Sequence, residues 1–221
     1  MKPLAKIGTK APLLQLSYWV QGGPTNLDQL LGSVVLIEVF QVNCPGCFLY
    51  SLPQAIDLYQ QYHAKGLTVI GMATAFEDFD KNTVENLKLT INQDTPIAET
   101  LRVLEQNNRL INGQLPYHIP FPVAMDSISK LQKEITEDEI TQFVEQYVRD
   151  FSQQENYQQE QIRQQALNYL QSRLYQAETF QRYNLQGTPS HIIVDKKGIL
   201  RASEFGHFTE LEWSINILLQ E

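Results

Sequence analysis

The sequence predicts an α/β fold, a mixed central sheet flanked by helices, and three observations carry that prediction. Three short runs of β-branched and apolar residues have the composition of buried central strands: Ser33 to Phe40, Leu67 to Ala73 and His191 to Val194. An amphipathic stretch lies between the first two. The chain's only cysteines, Cys44 and Cys47, sit where the first run ends and that stretch begins.

The elements follow in order. From Cys47 to His63, Leu52, Ile56, Tyr59 and Tyr62 recur at spacings of three and four, and the segment closes on Ala64-Lys65-Gly66, which predicts a helix with a glycine stop. Strand, helix and strand in this succession predict a right-handed βαβ crossover. Phe121-Pro122-Val123-Ala124-Met125 predicts a short strand, its proline suited to a strand start or an edge. Asp195-Lys196-Lys197-Gly198 predicts a hairpin loop between the run ending at Val194 and a strand from Ile199 to Phe205. Leu211, Ile215 and Leu218 predict a closing helix over 210–219.

Residues 127–182 break this alternation. They hold 13 glutamines, yet Ile140, Phe143, Val144 and Tyr147, then Ile162, Ala166, Tyr169, Leu170, Leu174 and Ala177, recur at helical intervals. Thr136 and Glu139 have the spacing of a capping box, with Ile135 and Ile140 placed as a hydrophobic staple. Packed helices are therefore expected in place of a low-complexity tract. The expected organisation is one domain over 1–221 with 127–182 as a helical insertion.

Composition narrows the function classes. A chain of 221 residues that is 43% hydrophobic can bury a sizeable core. A formal charge of −8 argues against nucleic acid and anionic membrane partners, both of which need a concentrated basic surface. The segment from Met1 to Lys6 reaches Gly8 and Pro12 without the apolar stretch of a signal peptide, and no run approaches transmembrane length. With Met1 as the start, the expected location is cytoplasmic, where a permanent structural disulfide is disfavoured.

Cys44 and Cys47 lie three apart, which leaves no partner for a disulfide framework and too few ligands for a four-thiolate zinc site. No metal and no cofactor is expected. At a strand-to-helix junction, free amides and the helix dipole stabilise a thiolate, lowering its pKa from about 8.5 towards roughly 3.5 to 7.5. Cys44 is then a nucleophile, and the spacing brings Cys47 within bonding reach to resolve a mixed disulfide. Pro45 lacks an amide hydrogen and suits the first helical turn, and Gly46 completes the Cys-Pro-Gly-Cys sequence. Two buried structural thiols, or half of a metal site, are the alternatives. The four histidines, His63, His118, His191 and His207, form no ligand motif with the cysteines and are expected on the surface or in the core.

Further residues carry a family resemblance. Gly187-Thr188-Pro189 immediately precedes a strand, and Glu38 lies six residues before Cys44. Together with Ile7 to Pro12, Phe121 to Asp126, Tyr183 to Pro189 and Val194 to Gly198, these positions are similar to the redoxin and TlpA-like branch of the thioredoxin superfamily. The resemblance covers nearly the whole chain outside 127–182. It implies a thioredoxin-like fold with an N-terminal extension, thiol-disulfide exchange through Cys44 and Cys47, a protein or small-molecule disulfide as substrate and a second thiol partner to reduce or oxidise the pair. It also implies a cis bond before Pro189, with Thr188, Pro189, Pro45 and Gly46 lining the substrate groove. Glu38 matches a buried acid that relays protons, because a carboxyl buried in a strand can exchange protons near neutral pH. A trans Pro189 that merely starts a strand, and a solvent-facing Glu38 on an edge strand, are the competing expectations.

Two departures stand beside the resemblance. No tryptophan directly precedes Cys44, and the insertion is unusual. Peroxiredoxins share the fold, but Ile37 and Gln41 stand where their proline and peroxide-orienting threonine are expected, so a thiol peroxidase is the alternative function. A redox-inert partner-binding module is the second.

Overall fold

The protein is described from a computed structural model covering residues 4–131, 133–148, 151–172 and 174–221. Among the described residues, six strands form the main sheet. They are β1 (Leu16–Gln21), β2 (Val34–Phe40), β3 (Leu67–Ala73), β4 (Val123–Asp126), β7 (Ser190–Val194) and β8 (Leu200–Phe205), ordered β1-β4-β3-β2-β7-β8. β5 (Ile128–Lys130) and β6 (Tyr175–Ala177) form a separate two-stranded sheet.

β2 runs parallel to β3 from Val34 opposite Leu67 to Phe40 opposite Ala73, and β3 runs parallel to β4. β7 and β1 run antiparallel to β2 and β4, and β8 antiparallel to β7. The sheet is therefore mixed. Every residue of β2 and β7 is buried, which is why those segments read as mainly apolar runs without strict polar alternation, Glu38 and His191 being the ionisable interruptions. The crossover from β2 to β3 passes through α1 (Leu52–Tyr62) and ends at Gly66, whose φ of 102° suits the left-handed stop.

Alternation along the strands divides the core in two. Val34, Leu36 and Phe40 of β2 pack with Val69 and Ile193 against Leu52, Ala55 and Ile56 of α1 and against Leu211, Ile215 and Leu218 of α7 (Leu211–Gln220). Val35, Ile37 and Val39 pack on the opposite face with Ile70, Met72, Ile192 and Val194, and with Phe180 of α6 (Glu178–Arg182).

The chain divides into two compact units, Met1–Ile128 with Ala177–Glu221, and Ser129–Gln176. In the second unit, α4 (Glu137–Tyr147) and α5 (Asn156–Ser172) bury Ile140, Val144 and Ala166 around their contact. The Thr136–Glu139 capping box is formed: the Glu139 amide donates to Thr136 Oγ1 at 3.3 Å and the Thr136 amide to Glu139 Oε2 at 3.1 Å.

Some features depart from the sequence expectations. Within 127–182, expected as a helical insertion, two short strands, β5 and β6, accompany the helices, and Ala177, placed on a helical period, ends a strand. Ladder bonds replace helical ones there, the Leu131 amide donating to the Leu174 carbonyl and the Glu178 amide to the Ser127 carbonyl. β1, α2 (Val84–Gln93) and α3 (Ala98–Gln106) were not anticipated. Finally, the cysteine helix opens with a π turn over Cys47–Ser51.

Candidate active site

The π turn follows from one residue. Pro53 sits in the first turn of α1 and has no amide hydrogen to give the chain behind it. The turn ahead of it widens, and the Leu52 amide reaches back five residues to the Cys47 carbonyl. Pro53, five residues beyond Phe48, can offer that carbonyl nothing. The Tyr117 hydroxyl fills the vacancy, donating to the Phe48 carbonyl at 2.7 Å. Burial raises the Tyr117 hydroxyl well above the usual phenol range, so it remains a donor.

The loop joining β2 to this turn is held by Asn43. Its backbone amide donates to Asn82 Oδ1 at 3.0 Å, its side-chain Nδ2 donates to Asp78 Oδ2 at 2.8 Å, and its Oδ1 accepts the Glu99 amide at 2.9 Å. Thr100 Oγ1 adds a bond to the Val42 carbonyl at 2.8 Å. α3 and the loop that precedes α2, unanticipated in sequence, therefore brace the approach to Cys44.

Cys44 and Cys47 form a disulfide, with Cα atoms 5.4 Å apart. Cys44 is half-buried, whereas Cys47 is fully buried among Phe48, Leu52 and their neighbours. The Cys47 amide points at the Cys44 sulfur, 3.3 Å away. The Thr188 carbonyl oxygen lies 3.6 Å from the same sulfur, an acceptor for the thiol that reduction would create. Thr188-Pro189 is cis. Thr188 Oγ1 donates to Gln41 Oε1 at 3.2 Å, tying the loop before β7 to the end of β2. Gly187 leaves room for the Phe205 ring, which a Cβ there would meet at 2.5 Å and displace.

Beside the disulfide lies a cavity of about 420 Å³, lined by Gly46, Tyr50, Pro189, His191, Gly206 and His207 among others. The structure thus brings Cys44, Pro45, Gly46, Cys47, Thr188 and Pro189 to one place. Glu38 is reached from below. It is fully buried on a central strand, which removes the solvent-facing alternative. It lies between Leu36 and Phe40 in sequence, and so points to the face that carries Cys47. Opposite it on β3 stands Gly71, where a Cβ would crowd Val123, Phe121 and Phe40 at 3.1, 3.2 and 3.4 Å.

Glu38 has a partner that sequence reasoning assigned no role. His191 sits directly opposite it on β7, and its Nδ1 is 2.7 Å from Glu38 Oε2. Both side chains are buried, 1% and 0% exposed. His191 Nε2 lies 3.0 Å from the Gly206 carbonyl. Burial opposes charge on the imidazole, but the Glu38 carboxylate and the Gly206 carbonyl outweigh it and raise its pKa above the ordinary histidine value. Among the described residues, no cluster of histidine, cysteine and acidic side chains is placed to hold a metal ion, and no helix is long and apolar enough to cross a membrane.

Known structures share this architecture. A thioredoxin-like superfamily protein aligns over 97% of this chain and 98% of its own, with 25% identity and a TM-score of 0.59. A thiol-disulfide isomerase from Corynebacterium glutamicum aligns over 95% and 97%, with 26% identity and a TM-score of 0.57. The chain has a thioredoxin-like fold. The thioredoxin domain of a thiol-disulfide oxidoreductase from Bacteroides vulgatus shares that fold at 14% identity and a TM-score of 0.51. These thioredoxin-like neighbours fit the redoxin-branch resemblance of the sequence, and their names support an oxidoreductase of this general kind. In sequence, 81 residues are 33% identical to protein DipZ of Mycobacterium bovis, covering 35% of this chain. That segment spans only 12% of the relative's length. No protein-family profile matches the chain.

Proposed function

We propose that the protein is a thiol-disulfide oxidoreductase in which Cys44 attacks and Cys47 resolves. The observation that carries the reading is the asymmetry of the pair: the half-buried Cys44 sulfur receives the Cys47 amide at 3.3 Å, whereas Cys47 is 0% exposed. A thiolate at Cys44 is stabilised by that amide and by the helix start.

In the reduced protein, the Cys44 thiolate attacks one sulfur of a substrate disulfide. A Cys44–substrate bond forms, the substrate S–S bond breaks, and the departing sulfur leaves as a thiolate that takes up a proton. Cys47 then loses its proton and attacks the Cys44 sulfur. The Cys44–Cys47 bond forms and the second substrate sulfur departs, so the substrate gains two electrons and the protein loses two. The reverse sequence oxidises a dithiol. Pro45, Gly46, Thr188 and Pro189 border the reacting sulfurs and form the wall against which an extended disulfide-bearing segment is laid, and Glu38 is the acid-base group beneath Cys47. A protein or small-molecule disulfide and a second thiol partner complete the cycle.

The test is trapping. Cys47→Ser is expected to accumulate mixed disulfides through Cys44 with a disulfide-bonded model protein, visible on non-reducing gels and by mass spectrometry. Equal trapping by Cys44→Ser would overturn the assignment, and absence of disulfide reduction by the reduced wild type would overturn the function.

A further inference from the structure

Hydrogen-bonding chemistry fixes the proton inventory of the buried pair behind the disulfide. The partner of His191 Nε2 is a carbonyl, which only accepts, so Nε2 carries a hydrogen. The partner of Nδ1 is a carboxylate oxygen, also an acceptor unless protonated. At 2.7 Å, two lone pairs cannot face each other inside a core, so a second proton lies between Nδ1 and Oε2. The pair is then neutral overall whichever atom holds that proton. Glu38 Oε1, by contrast, is buried without a hydrogen-bond partner.

We propose that His191 is a positioning residue for the exchange reaction: by occupying Glu38 Oε2 with a shared proton, it reserves Oε1 as the free acceptor for the proton of Cys47. This rests on the exchange function proposed above. When Cys47 resolves the mixed disulfide, its S–H proton passes to Glu38 Oε1 and the electron pair stays on sulfur. That sulfur bonds Cys44, and the Cys44–substrate bond breaks with its pair leaving on the substrate. The surplus proton departs to water through His191 Nε2, which faces the Gly206 carbonyl, both residues bordering the cavity beside Pro189. In the oxidising direction the same proton returns to Cys47 as it leaves Cys44.

The surroundings leave this role to the pair. Glu204 stands opposite His191 on β8 and is exposed. His207 and Tyr50 border the cavity, and the neighbouring Gln54 and Ser51 are neutral. From β3 the position facing Glu38 is Gly71. On the helix side of the same core stand the cysteines together with Tyr59 and Tyr62 of α1, the Tyr62 hydroxyl donating to Glu212 Oε1 at 2.8 Å. The raised proton affinity of His191 agrees with a proton held at Nδ1.

His191→Gln preserves a donor to Oε2 but holds no exchangeable acid. The rate at which the Cys44 mixed disulfide resolves, followed in single turnovers from pH 5 to 9, is expected to fall about tenfold in His191→Gln below neutral pH, within the range general acid-base catalysis spans. A purely structural partner would be replaced by glutamine, and superimposable pH profiles would overturn the proposal. Nitrogen-15 spectra of the histidine ring supply a readout that needs no activity and no His191 variant. Wild type is expected to keep protons on both His191 nitrogens above the pH at which ordinary histidines have lost one, and Glu38→Gln to show a single protonated nitrogen at neutral pH. An ordinary titration of His191 in the wild type would overturn the shared proton while leaving the exchange function standing. Failure of the reduced wild type to reduce any disulfide would strike the function instead.

Discussion

On one face of β2, Val35, Ile37 and Val39 pack into a buried apolar cluster beside the neutral Ser190; on the other, Leu36 and Phe40 flank a carboxylate that is just as deeply buried. The same alternation repeats on β7, where Ile192 and Val194 face one core and His191 and Ile193 the other. Both faces have equal access to aliphatic packing, so burial does not require the ionic pair. Such a pair gains little net stability over apolar residues of similar volume, since the cost of desolvating two charges offsets their attraction. Its location on the face that carries Cys47, and not on the opposite one, is where the proposed exchange reaction would use a proton.

Breaking one partner tests this contrast most severely. His191→Leu leaves Glu38 buried without its partner and is expected to destabilise the protein by about 3–5 kcal/mol in urea unfolding. Adding Glu38→Leu should recover most of that loss while resolution by Cys47 stays slow. A single variant as stable as the double would show that the two side chains are not coupled.

The apolar face offers the counterpart. Ile70→Ala, fully buried there, is expected to cost about 2–5 kcal/mol from lost contacts and the residual cavity. The exchange rate per folded molecule should change by less than about twofold, as expected of a site remote from the chemistry. A rate that falls in step with stability would mean that the faces are not separable.

The smallest effect is in the pH dependence of stability. A histidine whose pKa is raised on folding contributes stability that is fully present below its ordinary value of 6.5 and is lost as pH rises through the higher folded value. Urea midpoints of the wild type should therefore decline on the alkaline side of pH 6.5, by on the order of 1 kcal/mol for each unit the pKa is raised. His191→Gln should lack that decline, and parallel curves would sharpen the comparison against the pair.

Legibility in sequence tracked how local each feature is. The central strands, α1 and the cysteine pair are written in runs and spacings within a few residues of one another. β1 is half-exposed and irregular in burial, and in α2 and α3 the buried positions include Thr90 and Thr100, so neither pattern shows a clean period. Glu38 and Pro189 were legible through the family resemblance, at the positions relative to Cys44 and to a strand start where it implies a buried acid and a cis proline. His191 was counted among four scattered histidines because its partner is 153 positions away, and their meeting depends on the antiparallel register of β2 and β7. The one local signal was a histidine within a short, otherwise uncharged and mainly apolar strand. Tyr117 escaped for the same reason, 69 positions from the carbonyl it serves.

That hydroxyl bears on how portable the cysteine motif is. Pro53 shapes the turn after Cys47 but strands the Phe48 carbonyl, and the remedy comes from another part of the chain. Cys-Pro-Gly-Cys is therefore not a self-contained cassette in this protein. Grafted onto a regular helix, the four residues would meet a tighter turn and a different presentation of Cys47. The inheritable unit is the tetrapeptide together with Pro53 and Tyr117, and a designer moving the chemistry to a new scaffold would have to carry all three.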